Sequence, residues 1–187
     1  MLIKLLPESE KELLLDLTKL LTLSDNPLLW GGKPSDELTS NSDLTDISIQ
    51  KDEQEDELIA DFERSAGFSS FWSARKSERV ERQLIEELKK LPISKIEQAE
   101  SRLHAATTVL KKHLEGKSFN FPSTARIILF ELILAALRDG NISNIEQALL
   151  KEVQLHCQLE DFIFDDLLER AEALNNEISK TISIVLE

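Results

Sequence analysis

The stretch PSTARIILFELILAALRDG, Pro122 to Gly140, constrains the rest of the chain. From Ile127 to Leu137 it is apolar on nearly every side, with Glu131 as its single charge. A helix of that kind has no solvent face of its own, so other elements must surround it. It is also too short to cross a bilayer, which takes about 20 apolar residues. Further helices supply the cover. Leu13, Leu14, Leu17, Leu20 and Leu21 follow the i, i+3, i+4, i+7, i+8 rhythm of an amphipathic helix, with Ser9 and Glu12 spaced as a capping box at its start. Helical patterns return over Leu58 to Gly67, Ser73 to Leu91, Ser94 to Leu114, Ser143 to Cys157 and Glu160 to Leu174, and NNEISKTISIVL reads as a last short helix. With five Gly and five Pro, the chain is short of the turns that a sandwich or barrel needs. These patterns predict an all-α fold, a single orthogonal bundle of about seven helices in which the Pro122 helix is central.

Residues 25–57 break the pattern. WGGKPSDELTSNSDLTDISIQKDEQEDE is polar and acidic, without a sustained period, and offers little apolar area to offset the entropy of ordering it. The expected organisation is a first bundle helix over 1–24, a flexible acidic insertion over 25–57, and the remaining bundle over 58–187.

Charge narrows the function classes. At −13, the 187-residue chain opposes generic nucleic-acid binding, which relies on Lys and Arg against phosphate, and is repelled by anionic membrane surfaces. The same balance favours cations and basic protein surfaces. The single Cys157 forms no internal disulfide, and MLIKLLPESEKELLL lacks the run and cleavage site of a secretory signal, so a cytoplasmic protein is expected.

One phrase occurs twice. ISKIEQAES begins at Ile93 and ISNIEQALL at Ile142, each placing Ser three residues before Glu. Ser94 with Glu97, and Ser143 with Glu146, have the capping-box spacing, in which each side chain satisfies a backbone N–H at a helix start. Aligning the copies superposes Leu84 on Ile133 and Leu88 on Leu137, but downstream Leu103 faces Glu152. Duplication and repeated selection of a good helix start both remain open. Only the second copy follows Asp139-Gly140-Asn141, where Gly140 suits the left-handed residue that closes a helix. This tight turn brings the carboxylates of Asp139 and Glu146 toward each other, oxygen ligands of the type that Ca²⁺ or Mg²⁺ takes, although the spacing is not that of an EF-hand.

The run LAALRDGNISNIEQALLKEV followed by QLEDFIFDDLLERAEAL resembles the second half of a TerB-like (tellurite-resistance) domain over 123–175, through Asp139, Gly140, Ile142 and Glu146 and then Leu159, Phe162, Leu167, Leu168 and Ala171. The resemblance implies a helical bundle without an established enzyme activity, associated with chemical stress, binding metal through acidic residues and acting in membrane-proximal or multi-protein complexes. The first half departs from the family, where a second Asp-Gly…Glu copy is usual; here LTLSDNPLLWGG is its best remnant.

His104, His113 and His156 share no ligand spacing, and His156 and Cys157, as neighbours, point about 100° apart on a helix, poor geometry for a base and nucleophile. No phosphate loop or nucleophile elbow is present, so no enzyme is expected. Arg75, Arg79 and Arg82 form a stripe that either docks an acidic surface or is a solvated face. Trp30 and the GFSSFW patch, with Phe68, Phe71 and Trp72, are candidate partner anchors or core. Glu131 most simply marks a solvent-facing edge; buried, it would have a raised pKa. The expected function is a non-catalytic, TerB-like, metal-responsive or scaffolding module; the alternative is a helical adaptor without metal that recruits a protein through the acidic insertion or the aromatic patch.

Overall fold

Every residue from Leu13 to Leu23 is buried in the computed structural model of the chain, which makes α1 (Glu8–Leu23) the axis of the fold. The structure describes residues 1–40, 42–68, 70–119 and 121–186; for residues 70–77 and Asp139 it describes the backbone alone. Around α1 pack α2 (Glu53–Ala66), α3 (Ser70–Leu88), α4 (Ala99–Leu114) and α5 (Pro122–Ala136), with α6 (Asn144–His156) against α4 and α5. The outermost helix, α7 (Asp161–Leu186), lies on α5. Among the described residues the fold is a bundle of seven α-helices, and no helix is long and apolar enough to cross a membrane.

The central helix is therefore not the one the apolar run suggests. α5 buries Ile128, Leu129, Leu132 and Ile133, while Ile127, Phe130 and Leu134 stay partly exposed. α1 takes the middle although its sequence contains polar residues, because each finds an internal partner. Thr18 Oγ1 donates to the Leu14 carbonyl at 2.9 Å and Thr22 Oγ1 to the Lys19 carbonyl at 3.1 Å. Lys19 Nζ donates to Glu63 Oε1 on α2 at 3.0 Å, and Asp16 accepts from Arg79 on α3. Buried polar groups persist where such partners exist. Glu131 is likewise at no solvent edge: it is buried, and its carboxylate accepts the Leu2 N–H of the N-terminal 3₁₀ turn Leu2–Leu5.

Within residues 25–57, where the sequence predicts a flexible acidic insertion, the described residues include an antiparallel hairpin and the start of α2. β1 (Leu28–Trp30) and β2 (Ile47–Ile49) pair antiparallel, with Leu28 opposite Ile49 and Trp30 opposite Ile47. All four of those side chains are buried, while Leu29 and Ser48 between them are half-covered, the two-residue period of a strand with one face on the core. Three-residue strands fall below the window in which alternation is recognisable in sequence. Lys51 Nζ meets Glu81 on α3 at 2.8 Å and ties the segment to the bundle. α2 then begins at Glu53, five residues before its apolar pattern, because Asp52 caps it by accepting the Gln54 N–H at 2.7 Å.

Of the three capping boxes expected, one forms. Ser143 Oγ accepts the Glu146 N–H at 3.2 Å, and Glu146 Oε2 accepts the Ser143 N–H at 2.8 Å. α1 instead starts behind Pro7, whose fixed φ initiates the helix two residues early, and the Ser9 hydroxyl donates to Glu10. After Pro92 the chain makes a 3₁₀ turn, Ile93–Lys95, and α4 starts only at Ala99, which leaves Glu97 outside the helix. The expected break near Leu174 is also absent. NNEISKTISIVL contains neither Gly nor Pro, and α7 runs through it unbroken to Leu186.

Candidate functional site

Two connections meet at one end of the bundle, the loop from α4 to α5 and the turn from α6 to α7. The turn is held by Gln154, whose Nε2 donates to the Leu159 carbonyl at 3.0 Å and to Asp161 Oδ1 at 2.9 Å, while Gln158 takes a left-handed φ of 53°. His156 fastens the loop to it: Nε2–H donates to the Lys117 carbonyl at 3.0 Å, and Phe119 stands edge-on to the imidazole, at 84° and 6.3 Å between centroids.

Between them opens a groove of about 920 Å³. Its apolar lining includes Phe119, Phe121, Ala125, Phe162 and Ile163, with Phe121 66% and Phe162 59% exposed, large values for aromatic side chains. Lys117 and Arg126 stand on its rim, and neither has an ion-pair partner among the described residues. Glu160 is the one carboxylate of the lining. Two cations against one carboxylate make this concave surface basic in a chain of net charge −13. The sequence signal was the pair of phenylalanines in the polar loop KSFNFPS, in a chain only 5% aromatic.

Cys157 also lines the groove, but burial pushes its thiol up to about 12. At pH 8 it is neutral, and alkylation by iodoacetamide is expected about three orders of magnitude slower than for free cysteine, whose pKa is near 8.5. Unfolding in urea restores the ordinary rate. A native rate within about tenfold of free cysteine would contradict the burial.

A second cleft, of about 310 Å³, lies where α1, α3 and α4 meet and contains Asp16, Arg79, Gln83 and His113. His113 Nδ1 is 3.5 Å from Asp16 Oδ2, and its Nε2 is 2.8 Å from Gln83 Oε1. Ser9 lines the same cleft, but with its hydroxyl given to Glu10 and the far imidazole nitrogen facing Gln83, the three form no proton relay.

The residues singled out in the sequence separate. Trp30 is a core residue and no surface anchor: it is 3% exposed, and its Nε1–H donates to Glu97 Oε1 at 3.0 Å. Glu97, expected to cap a helix, thus holds the hairpin to the bundle. Phe68 packs against the core as a half-buried residue. The side chains of Phe71, Trp72 and Arg75 lie outside the described residues. Arg79 turns inward to Asp16, whereas Arg82 stays in solvent, 3.9 Å from Glu86. The two do not form one docking stripe. Glu146 is buried and binds the start of α6, and the side chain of Asp139 lies outside the described residues. Comparison of the chain with protein-family models, with curated proteins and with solved structures found no match.

Proposed function

We propose that the protein is a non-catalytic helical adaptor, a scaffolding module of the TerB-like type, whose groove receives an apolar partner segment carrying carboxylates. The observation behind this reading is the groove itself: exposed phenylalanines on a rigid frame, flanked by Lys117 and Arg126. Exposed aromatic side chains supply most of the contact energy in protein interfaces, and rim charges select the partner and speed its approach. The frame is built in advance, since Gln154 fixes the α6–α7 turn and His156 ties the α4–α5 loop to it. Glu146, by contrast, already spends one oxygen on the start of α6, so the adaptor reading takes precedence over a cation site at the α5–α6 turn.

Selection of displayed peptides on the whole protein, counter-selected on Phe121→Asp and Arg126→Glu, tests the reading. The expected enrichment is in apolar sequences with Asp or Glu, lost on both variants. Enrichment of basic or wholly polar peptides, or equal recovery on the variants, would refute it. Both substitutions are at exposed positions, so the fold is retained.

A further inference from the structure

α7 runs beside α5 in the same direction. At its start Phe162 and Ile163 line the groove with Phe121 and Ala125; further along, Asn175 Nδ2 donates to the Leu137 carbonyl at 3.0 Å, just past the end of α5. Beyond Asn175 every described residue of α7, 176–186, is exposed, a free length of about 16 Å at 1.5 Å per residue. That free length is not polar. Leu174, Ile178, Ile182 and Val185 are 43%, 48%, 51% and 75% exposed. At about 100° per residue they fall, with Ile163 and Leu167, on one stripe about 100° wide. The face that docks the first half of α7 on the bundle thus continues past the bundle with nothing beneath it.

The tail cannot cover the groove of its own copy, because about 30 Å of continuous helix separates Ile163 from Ile182. We infer that the two surfaces meet between two copies of this chain, with α7 lying antiparallel on α7 of the second copy about a two-fold axis at Leu174. This rests on the apolar half of the groove reading above, its exposed phenylalanines, and names residues 178–186, whose one charge is Lys180, as the apolar segment that covers them. In that register Leu174 meets its own counterpart, Ile182 of each copy packs beside Leu167 of the other, and Val185 enters the groove beside Ile163. Such a contact is self-complementary, as a two-fold pair requires.

Charge complementarity supports the register. Arg170 is exposed and has no ion-pair partner among the described residues, and it lies on the same edge of α7 as Glu177. The two-fold axis sets Arg170 of each copy against Glu177 of the other, so the pair is made twice. Among the described residues the Glu177 carboxylate pairs with Lys180 of its own helix, at 2.7 Å and in solvent. The area is adequate as well. Two exposed phenylalanines and the aliphatic side chains of the tail give each copy roughly 600 Å² to cover, approaching the ~800 Å² per partner of a stable complex.

Light scattering of the full chain between 1 and 100 µM tests the inference, with twice the chain mass expected. Leu174→Asp, at an exposed position, gives a folded monomer by circular dichroism. Arg170→Glu and Glu177→Arg each weaken the dimer about tenfold or more, and the two combined restore it to within about threefold. A monomeric wild type at 100 µM overturns the pairing, and if its groove still selects acidic apolar peptides the groove reading stands alone. A dimer indifferent to Arg170→Glu, or single variants that weaken without rescue in the double, overturns the antiparallel register.

Discussion

Glu63→Gln is expected to cost about 3 kcal/mol or more of unfolding free energy, a large effect for a conservative change. Lys19 is 2% exposed at the centre of α1, and Glu63, 3.0 Å away on α2, is its salt-bridge partner. Removing the negative charge leaves a buried ammonium with a neutral amide for company. Burying an unpaired charge is far more expensive than never placing one there. The converse follows: Lys19→Met combined with Glu63→Gln recovers most of the loss, since an apolar side chain of similar length fills the same space. Urea unfolding of the three variants measures this. A Glu63→Gln loss below about 1 kcal/mol, as for a surface pair, would mean that water reaches the Lys19 ammonium.

Trp30→Ala is the second large effect, expected at about 3–5 kcal/mol with little relaxation of the site. The indole is the largest side chain of the hairpin and is buried beside Leu28, Ile47 and Ile49, with its N–H on Glu97. Losing it removes both the wedge and the hydrogen bond that joins the hairpin to the stretch before α4. Limited proteolysis should therefore cut the variant between residues 33 and 46 well before the bundle opens. Glu97→Ala removes the hydrogen bond alone and costs about 1 kcal/mol. Equal resistance of wild type and Trp30→Ala to protease would show that the strand pairing holds the segment without its anchor.

The legibility of the chain varied with the range of the interaction that decides each feature. The ends of the helices at Ala66 and Leu114, and the capping box at Ser143, are written in side chains a few residues apart, and they fall where the local pattern puts them, although α2 starts five residues before Leu58 and α4 five after Ser94. The Ser94 copy of the same phrase fails because Pro92 draws the preceding residues into a 3₁₀ turn and frees Glu97 for an indole far away in sequence. The roles of Lys117, Phe119 and Phe121 are not legible locally, because nothing nearby in sequence distinguishes an exposed aromatic from a buried one. Their meaning depends on Phe162 and Ile163 arriving across the groove.

By itself the sequence determined that this chain is helical, that Pro122 to Ala136 is a core helix, that Gly140 ends one helix and Ser143 begins the next, and that the net charge is strongly negative. Only the tertiary structure decided that α1, with its aspartate, lysine and threonines, occupies the centre in place of the more apolar α5. It likewise decided that LLW and ISI become paired strands, and that one end of α7 borders a groove while the other end stands free. Local propensity and hydrophobic period act over one or two turns of backbone, whereas a buried lysine, an indole N–H or a three-residue strand becomes stable only through a partner supplied from far along the chain.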